Sequence, residues 1–319
     1  MKPFAFVFPG QGSQSVGMLN DWGDHPVVIG TVQEASDALG QDIARLIREG
    51  PSEELAFTTN TQPVMLVAGV AAFRVWMAET GATPAFVAGH SLGEYAALVA
   101  SGALSMAQAA PLVRFRAQAM QDAVPVGAGA MAAIIGLDAP KVIALCTRIT
   151  NATAQFGLQE SDVVEAVNFN DPMQTVIAGT KAAVDKACEQ LKAEGAKRAL
   201  LLQVSAPFHS SLMKPAAEKL KAKLAEISFA PLQIPLINNI DVAIETDATR
   251  IVDALYRQAF GAVRWVECVQ AIKARNVEHI IECGPGKVLA GLVRRIDASL
   301  TGAPLFNPSS MSQVKEMLL

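Results

Sequence analysis

Val87-Ala88-Gly89-His90-Ser91-Leu92-Gly93-Glu94-Tyr95 is the stretch on which the reading of this chain turns. Ala85 to Ala88 reads as the end of a buried strand, and a helix opens at Glu94 and runs through Ala100. Between them lies Gly-x-Ser-x-Gly, a pattern that sets its serine on a sharp, strained turn. Its glycines let strand and helix approach without Cβ clashes. Such a turn aims the first free N–H groups of the helix, and the positive end of its dipole, at whatever the serine attacks. The plain alternative is a glycine-rich turn that happens to contain serine. The strand before it and the helix after it favour Ser91 as a nucleophile.

The 319 residues suffice for one large domain with a smaller one inserted or appended. Hydrophobic residues make up 51% and charged residues 18%, which suits a well-packed α/β enzyme. A net charge of −4 gives no support to nucleic-acid binding. The longest apolar run, Val64 to Phe73, is too short to span a bilayer and ends at Arg74, so no membrane role is expected. Lys2 to Phe8 reads as a first strand with no cleavage-site pattern behind it, and a cytoplasmic location is expected. Cys146, Cys188, Cys268 and Cys283 are widely spaced, which favours buried free thiols over disulfides or a metal site.

Outward from the elbow, Gly10-Gln11-Gly12-Ser13-Gln14 forms the loop after the first strand. Its glycines do not match Gly-x-Gly-x-x-Gly, so a nucleotide cradle is weakly supported; the loop could instead bring Gln11 and its N–H beside the elbow. Helices are predicted over Val27–Leu39, Ile43–Arg48, a long apolar segment from Pro63 to Trp76, and Met106–Gln121. Val124 to Gly129 breaks the pattern as a linker. Beyond it, strands at Ala130–Gly136, Val163–Asn168, Gln174–Gly179 and Arg198–Val204 alternate with helices at Lys141–Thr150 and Ala182–Glu194. That order suits a small ferredoxin-like α+β insert, with Asn151 to Asp162 as an exposed connection. The larger domain then resumes with helices at Met213–Glu226, Ile251–Ala259 and Glu267–Arg275 and a short strand at Pro235–Asn239. Val277–Cys283 reads as the last core strand, followed by a helix at Val288–Arg295.

A serine nucleophile needs a base within hydrogen-bond reach. His25 lies in a polar loop, His90 is adjacent to Ser91 and better read as packing beside the turn, and His279 reads as a satisfied core residue. His209, on the loop Ser205-Ala206-Pro207-Phe208-His209-Ser210, is the best base by elimination. No acid for a triad announces itself. Arg116 reads either as a solvent-facing helix charge or as a fork for a substrate carboxylate.

The chain resembles the malonyl-CoA:acyl carrier protein transacylase family of fatty acid synthesis. The resemblance runs through Phe8–Gln14, the Gly89–Tyr95 elbow, Arg116-Ala117-Gln118-Ala119-Met120-Gln121, Asn168-Phe169-Asn170, Pro207-Phe208-His209 and Gly284–Leu289. It implies a hydrolase-like α/β core with a parallel sheet, built from residues 1–126 and 205–319, and a ferredoxin-like subdomain at 127–204. It implies a Ser91–His209 dyad, with the histidine steadied by a main-chain carbonyl around Arg264-Trp265. Here Gly261-Ala262 stand where relatives usually have Asn-Pro. Gln11 and Leu92 N–H groups would form the oxyanion hole, and Arg116 would grip the malonyl carboxylate. Leu92 after the serine and Phe208 before the histidine are similar to the malonyl-selective pattern, which leaves little room for an α-methyl branch. Met120 and Met131 could line the pocket or belong to the core. The resemblance implies malonyl-CoA and phosphopantetheinylated carrier protein as substrates, no cofactor and no metal, and a monomer is expected. Lys181, Lys197, Arg198 and Lys287 are candidates to meet the acidic carrier.

Two rivals stand beside this reading. A serine esterase or thioesterase shares the elbow but needs no buried arginine. A binding module would have no use for Ser91, His209 and Arg116 together.

Overall fold

A computed structural model describes all residues, 1–319. The first half of the larger unit is β1 (Phe4–Phe8), α1 (Pro26–Leu39), α2 (Ile43–Glu49), α3 (Ser52–Ala56), α4 (Thr58–Thr80), β2 (Phe86–Gly89), α5 (Gly93–Ala100) and α6 (Met106–Gln121). Next come β3 (Gly129–Ile135), α7 (Ala139–Asn151), β4 (Val164–Asp171), β5 (Gln174–Thr180), α8 (Lys181–Ala193) and β6 (Arg198–Leu201). The chain ends with α9 (Lys214–Leu224), β7 (Leu236–Ile237), α10 (Ala248–Gln258), α11 (Trp265–Lys273), β8 (His279–Cys283), α12 (Val288–Ile296), β9 (Thr301–Leu305) and α13 (Pro308–Leu318).

Two sheets organise these elements. The larger is parallel, with strand order β7-β2-β1-β8-β9. The strand order reverses at β1, and in open α/β sheets the crevice beyond the carboxyl ends of such strands is where ligands bind. The elbow and the loop after β1 both lie there. The smaller sheet is antiparallel, β4-β5-β3-β6, with the β-α-β-β-α-β connectivity of a ferredoxin-like unit. The fold is therefore a hydrolase-like α/β core with a ferredoxin-like companion. The smaller sheet joins the larger unit where β4 meets the connection between α10 and α11: the Phe169 N–H donates to the Val263 carbonyl and the Val263 N–H donates to the Val167 carbonyl, at 3.0 and 2.8 Å.

The period-2 alternation of β1 explains its two-sided burial. Phe4, Phe6 and Phe8 face α4, packing edge-on against Phe73 and Trp76 with ring centroids 5.4–6.4 Å apart. Ala5 and Val7 face the opposite layer, with Trp265 and Leu292. Helix α4 is long and apolar enough to cross a membrane by length and composition, which the run Val64–Phe73 alone had not suggested. Most of its length is buried inside the fold, and a helix apolar all round is a core helix in such a setting.

Val277–Cys283 is not the last strand. Thr301–Leu305 adds β9 at the edge, parallel to β8. Its Gly302 and Pro304 hide it from any β-propensity reading, and an edge strand is where proline is tolerated. Helix α13 follows, begun by an Asn307–Ser310 capping box. The connection 151–162 is less exposed than expected, since Phe156 and Leu158 are half-buried against the core of the smaller sheet.

Candidate active site

The elbow is bracketed by two glycines that leave no room for a side chain. A Cβ on Gly89 would lie 1.9 Å from the Gly93 carbonyl carbon, and one on Gly93 would lie 2.0 Å from the Phe8 carbonyl oxygen. That close approach forces Ser91 into the left-handed region, at φ 53°. Both backbone polar groups of Ser91 are held. Its N–H donates to Asn239 Oδ1 at 2.8 Å, and its carbonyl accepts from Gln258 Nε2 at 3.1 Å.

His209 also has a left-handed backbone, φ 67°, on the loop between β6 and α9. Its Nε2 lies 2.7 Å from Ser91 Oγ, and its Nδ1 lies 2.9 Å from the Gln258 carbonyl oxygen. A carbonyl only accepts, so Nδ1 carries the proton and Nε2 is left to accept from the serine hydroxyl. Burial first, and then the nearby Arg116 charge, hold His209 down at about 3, so the ring is neutral at neutral pH.

The carbonyl that orients His209 thus belongs to Gln258, the last residue of α10, and not to Arg264. The Arg264 carbonyl is already engaged in starting α11, accepting from the Cys268 N–H at 3.0 Å, while its side chain pairs with Glu267 on the surface. Sequence reading did not find Gln258, though a signal was there. Ile251, Ala254, Leu255 and Gln258 form the buried stripe of α10 at helical spacing, which puts a carboxamide at a core position.

Arg116 is not a solvent-facing charge. A capping box of Ser105 and Gln108 sets the start of α6, and Arg116 falls on its buried side, 2% exposed. Its Nη1 donates to Gln62 Oε1 at 2.8 Å, and its Nη2 reaches both Ser91 Oγ and Gln258 Oε1 at 3.2 Å. The guanidinium also stacks on the Tyr95 ring at 5.5 Å. None of its hydrogen-bond partners is a carboxylate, and its Nε has no partner at all.

Gln62 in turn donates to Gln11 Oε1 at 3.1 Å, and Thr58 donates to the same oxygen at 2.8 Å, so the N-terminal end of α4 fixes the loop after β1. The main-chain N–H groups of Gln11 and Leu92 make no hydrogen bond within the chain.

Beneath the elbow lies Glu94, 2% exposed, whose Oε2 accepts from the Asn239 N–H and from Gln258 Nε2, both at 2.9 Å. Burial pushes its carboxyl up to about 7 against the pull of those donors.

A cavity of about 120 Å³ opens over these groups, with Ser91, His209 and Arg116 in its lining and Met131, Asn168 and Phe208 as walls. Met120 does not line it. One turn beyond Arg116 on α6, it is buried among the apolar side chains of the larger core. His90 packs beside the turn, its Nε2 2.8 Å from Asn170 Oδ1 and its ring against Trp265. His25 caps α1 through its Nδ1. His279 is not a satisfied core residue: it begins β8 half-buried, and its Nδ1 has no partner.

The fold and this constellation define the class: an α/β enzyme of acyl transfer. Residues 5–298 match the acyl transferase domain family. The chain is 51% identical to the malonyl CoA-acyl carrier protein transacylase of Escherichia coli K12, over 99% of this chain and all of that one. It is 61% identical to the solved acyl-carrier-protein S-malonyltransferase of Burkholderia pseudomallei 1710b, covering 99% and 100% of the two chains with a TM-score of 0.94. A malonyl-transacylase solved in complex with a type II PKS acyl-carrier protein is 48% identical, with a TM-score of 0.94 over 99% of this chain and all of that one. The chain belongs to the malonyl CoA-acyl carrier protein transacylase family.

Proposed function

We propose that the chain moves a malonyl group from malonyl-CoA to the phosphopantetheine thiol of holo-acyl carrier protein, with Ser91 as nucleophile and His209 as its base. The observation that carries the residue assignment is the 2.7 Å contact between Ser91 Oγ and His209 Nε2, with Nδ1 turned to the Gln258 carbonyl. In this reading residues 127–204 are the inserted subdomain, and 1–126 with 205–319 form the catalytic one.

Ser91 Oγ attacks the thioester carbonyl carbon as His209 Nε2 takes its proton. The oxygen that gains charge is met by the N–H groups of Leu92 and Gln11, which have no other partner in the chain. The C–S bond then breaks, CoA leaves with the proton from His209, and a malonyl ester remains on Ser91. In the second half the carrier thiol gives its proton to His209, attacks the ester carbonyl, and Ser91 leaves as a hydroxyl. No cofactor beyond the two substrates enters. The imidazolium formed transiently is supported at Nδ1 by a main-chain carbonyl, which takes the place that a triad gives to an acid.

Arg116 supplies the malonyl selectivity. A buried guanidinium without a carboxylate partner is an incomplete site, and the free carboxylate of a malonyl group completes it by a bidentate pair. Phe208 and Met131 line the cavity over Ser91, and in this reading they leave little room for a branch on the malonyl α-carbon. The reading takes the enzyme as a cytoplasmic monomer.

The test is intact-mass spectrometry after brief mixing with malonyl-CoA, then a chase with holo-carrier protein or with buffer. A malonyl adduct absent from Ser91→Ala, stable in buffer and transferred to the carrier, is expected. An adduct lost equally fast to water would make the protein a hydrolase, and an adduct retained in Ser91→Ala would displace Ser91.

A further inference from the structure

We propose that Glu94 is the positioning acid of this site, acting through Gln258 and Asn239 to hold Ser91, His209 and Arg116 in register. The acid that could not be found beside His209 lies instead under the elbow. The proposal rests on the reading of Ser91 and His209 as the reacting pair and Arg116 as the carboxylate clamp.

The argument is one of hydrogen-bond polarity. Glu94 Oε2 already accepts the Asn239 main-chain N–H, so it is an acceptor whether or not the other oxygen carries a proton. It obliges Gln258 to turn its Nε2 inward, where it also reaches the Ser91 carbonyl. Gln258 Oε1 is thereby left facing Arg116 Nη2 at 3.2 Å. A flipped carboxamide would set an N–H against the guanidinium and an oxygen against the lone pairs of Glu94 Oε2, two repulsions among buried side chains. The main-chain carbonyl of the same Gln258 receives the His209 Nδ1 proton. One residue therefore touches the serine, the histidine and the arginine, and Glu94 decides which way round it sits.

Asn239 is the second arm. Its N–H donates to Glu94 Oε2, its Oδ1 accepts from the Ser91 N–H, and its Nδ2 donates to the Gly89 carbonyl at 2.7 Å. The strained backbone of Ser91 is thus gripped at its N–H by Asn239 and at its carbonyl by Gln258, both of which lean on Glu94. Backbone strain of this kind persists only where the surroundings over-determine it. Asn239 and Gln258 are themselves fully buried, so water offers no replacement for Glu94.

The experiment compares Glu94→Gln, Glu94→Leu, Gln258→Met and the double variant Glu94→Leu/Gln258→Met. Gln258→Met keeps the main-chain carbonyl and removes only the carboxamide. Ser91 acylation is followed in single turnovers with malonyl-CoA and with acetyl-CoA, beside thermal melting. Glu94→Gln retains an acceptor oxygen and is expected within about tenfold of the parent, whereas Glu94→Leu and Gln258→Met should each lose roughly 100-fold with malonyl-CoA. Both should also lower the preference for malonyl over acetyl by about tenfold, because Arg116 loses its Gln258 partner. The double variant should be no slower than the slower single one, since residues acting as a unit are non-additive. Losses that multiply, or an unchanged malonyl preference, would overturn the proposal. Should Glu94→Leu not fold, Gln258→Met decides alone through that preference. Failure of the underlying reading is separate: it shows as an adduct retained by Ser91→Ala.

Discussion

Arg116 Nη2 stands 3.2 Å from Ser91 Oγ in a pocket where the guanidinium meets two glutamines, a serine and a tyrosine ring but hydrogen-bonds to no carboxylate. Burial works against that charge and lowers its proton affinity, and the Glu94 charge nearby, which makes no hydrogen bond to the guanidinium, offsets this only in part. A substrate that brings a carboxylate therefore relieves a cost that a neutral acyl group leaves in place. Charge-assisted hydrogen bonds contribute about 1.5–3 kcal/mol, so Arg116→Met is expected to lower kcat/KM for malonyl-CoA by roughly 10–100-fold. Acetyl-CoA should be used as well as before or better. Competition between the two thioesters measures this directly, and an unchanged preference would remove Arg116 from carboxylate recognition.

The same charge shapes the pH profile. His209 is held at about 3, below its ordinary 6.5, first by burial and second by Arg116. The neutral ring that accepts the serine proton thus persists well into acid, and the acid limb of kcat/KM for acylation should lie below about pH 5. Removing the Arg116 charge takes away the second cause, so the limb should move toward 6.5 in Arg116→Met. The sign for stability follows from the same shift. A histidine that binds its proton less tightly folded than unfolded contributes fully above 6.5, and that contribution is lost as pH falls toward 3. A limb at 6.5 in the parent enzyme would contradict this account.

The elbow, the two-sheet architecture and the pairing of Ser91 with His209 were legible because each leaves a local mark: Gly-x-Ser-x-Gly between strand and helix, period-2 runs, a histidine on a proline loop. Arg116 was ambiguous because one charge on a helix does not reveal which face is buried. Glu94 adjoins the elbow, but a carboxylate in the first turn of a helix is favoured there by the dipole alone, so its identity does not mark it as part of the site. Gln258 and Asn239 act through carboxamides and a main-chain carbonyl, which no residue pattern advertises. Strand β9 escaped because an edge strand needs only pairing on one side, and Thr-Gly-Ala-Pro-Leu carries no propensity to show for it.

Gly93 offers a test of the elbow independent of chemistry. An alanine there would press its Cβ to 2.0 Å from the Phe8 carbonyl oxygen, against backbone that belongs to the central strand. Neither β1 nor α5 can withdraw without opening the core between them. Gly93→Ala is expected to destabilise the protein by about 4 kcal/mol, near the upper end for single substitutions. The midpoint of denaturant unfolding reads it. By contrast Gly12→Ala, whose Cβ would meet nothing within 4 Å but whose φ is 109°, should show only the smaller cost of backbone strain. Equal losses at the two positions would mean that close approach is not what the elbow glycine provides.

Lys197 and Arg198 are exposed at the start of the edge strand β6, and the chain beyond it brings Leu202 and Val204 into the lining of the cavity over Ser91. Lys181 is a weaker candidate for an acidic partner, because it already pairs with Asp185 at 2.7 Å. A carrier whose phosphopantetheine arm enters along β6 would set its acidic surface against Lys197 and Arg198. Rim charges of this kind act on encounter and are screened by salt. Lys197→Glu/Arg198→Glu is therefore expected to raise the KM for holo-carrier protein by roughly tenfold at low ionic strength and by much less at high salt. Acylation of Ser91 by malonyl-CoA in the absence of carrier reports whether the cavity itself is disturbed. A carrier KM that rose equally at every salt concentration would point to a packing defect in β6, and one that did not rise would move the docking face elsewhere.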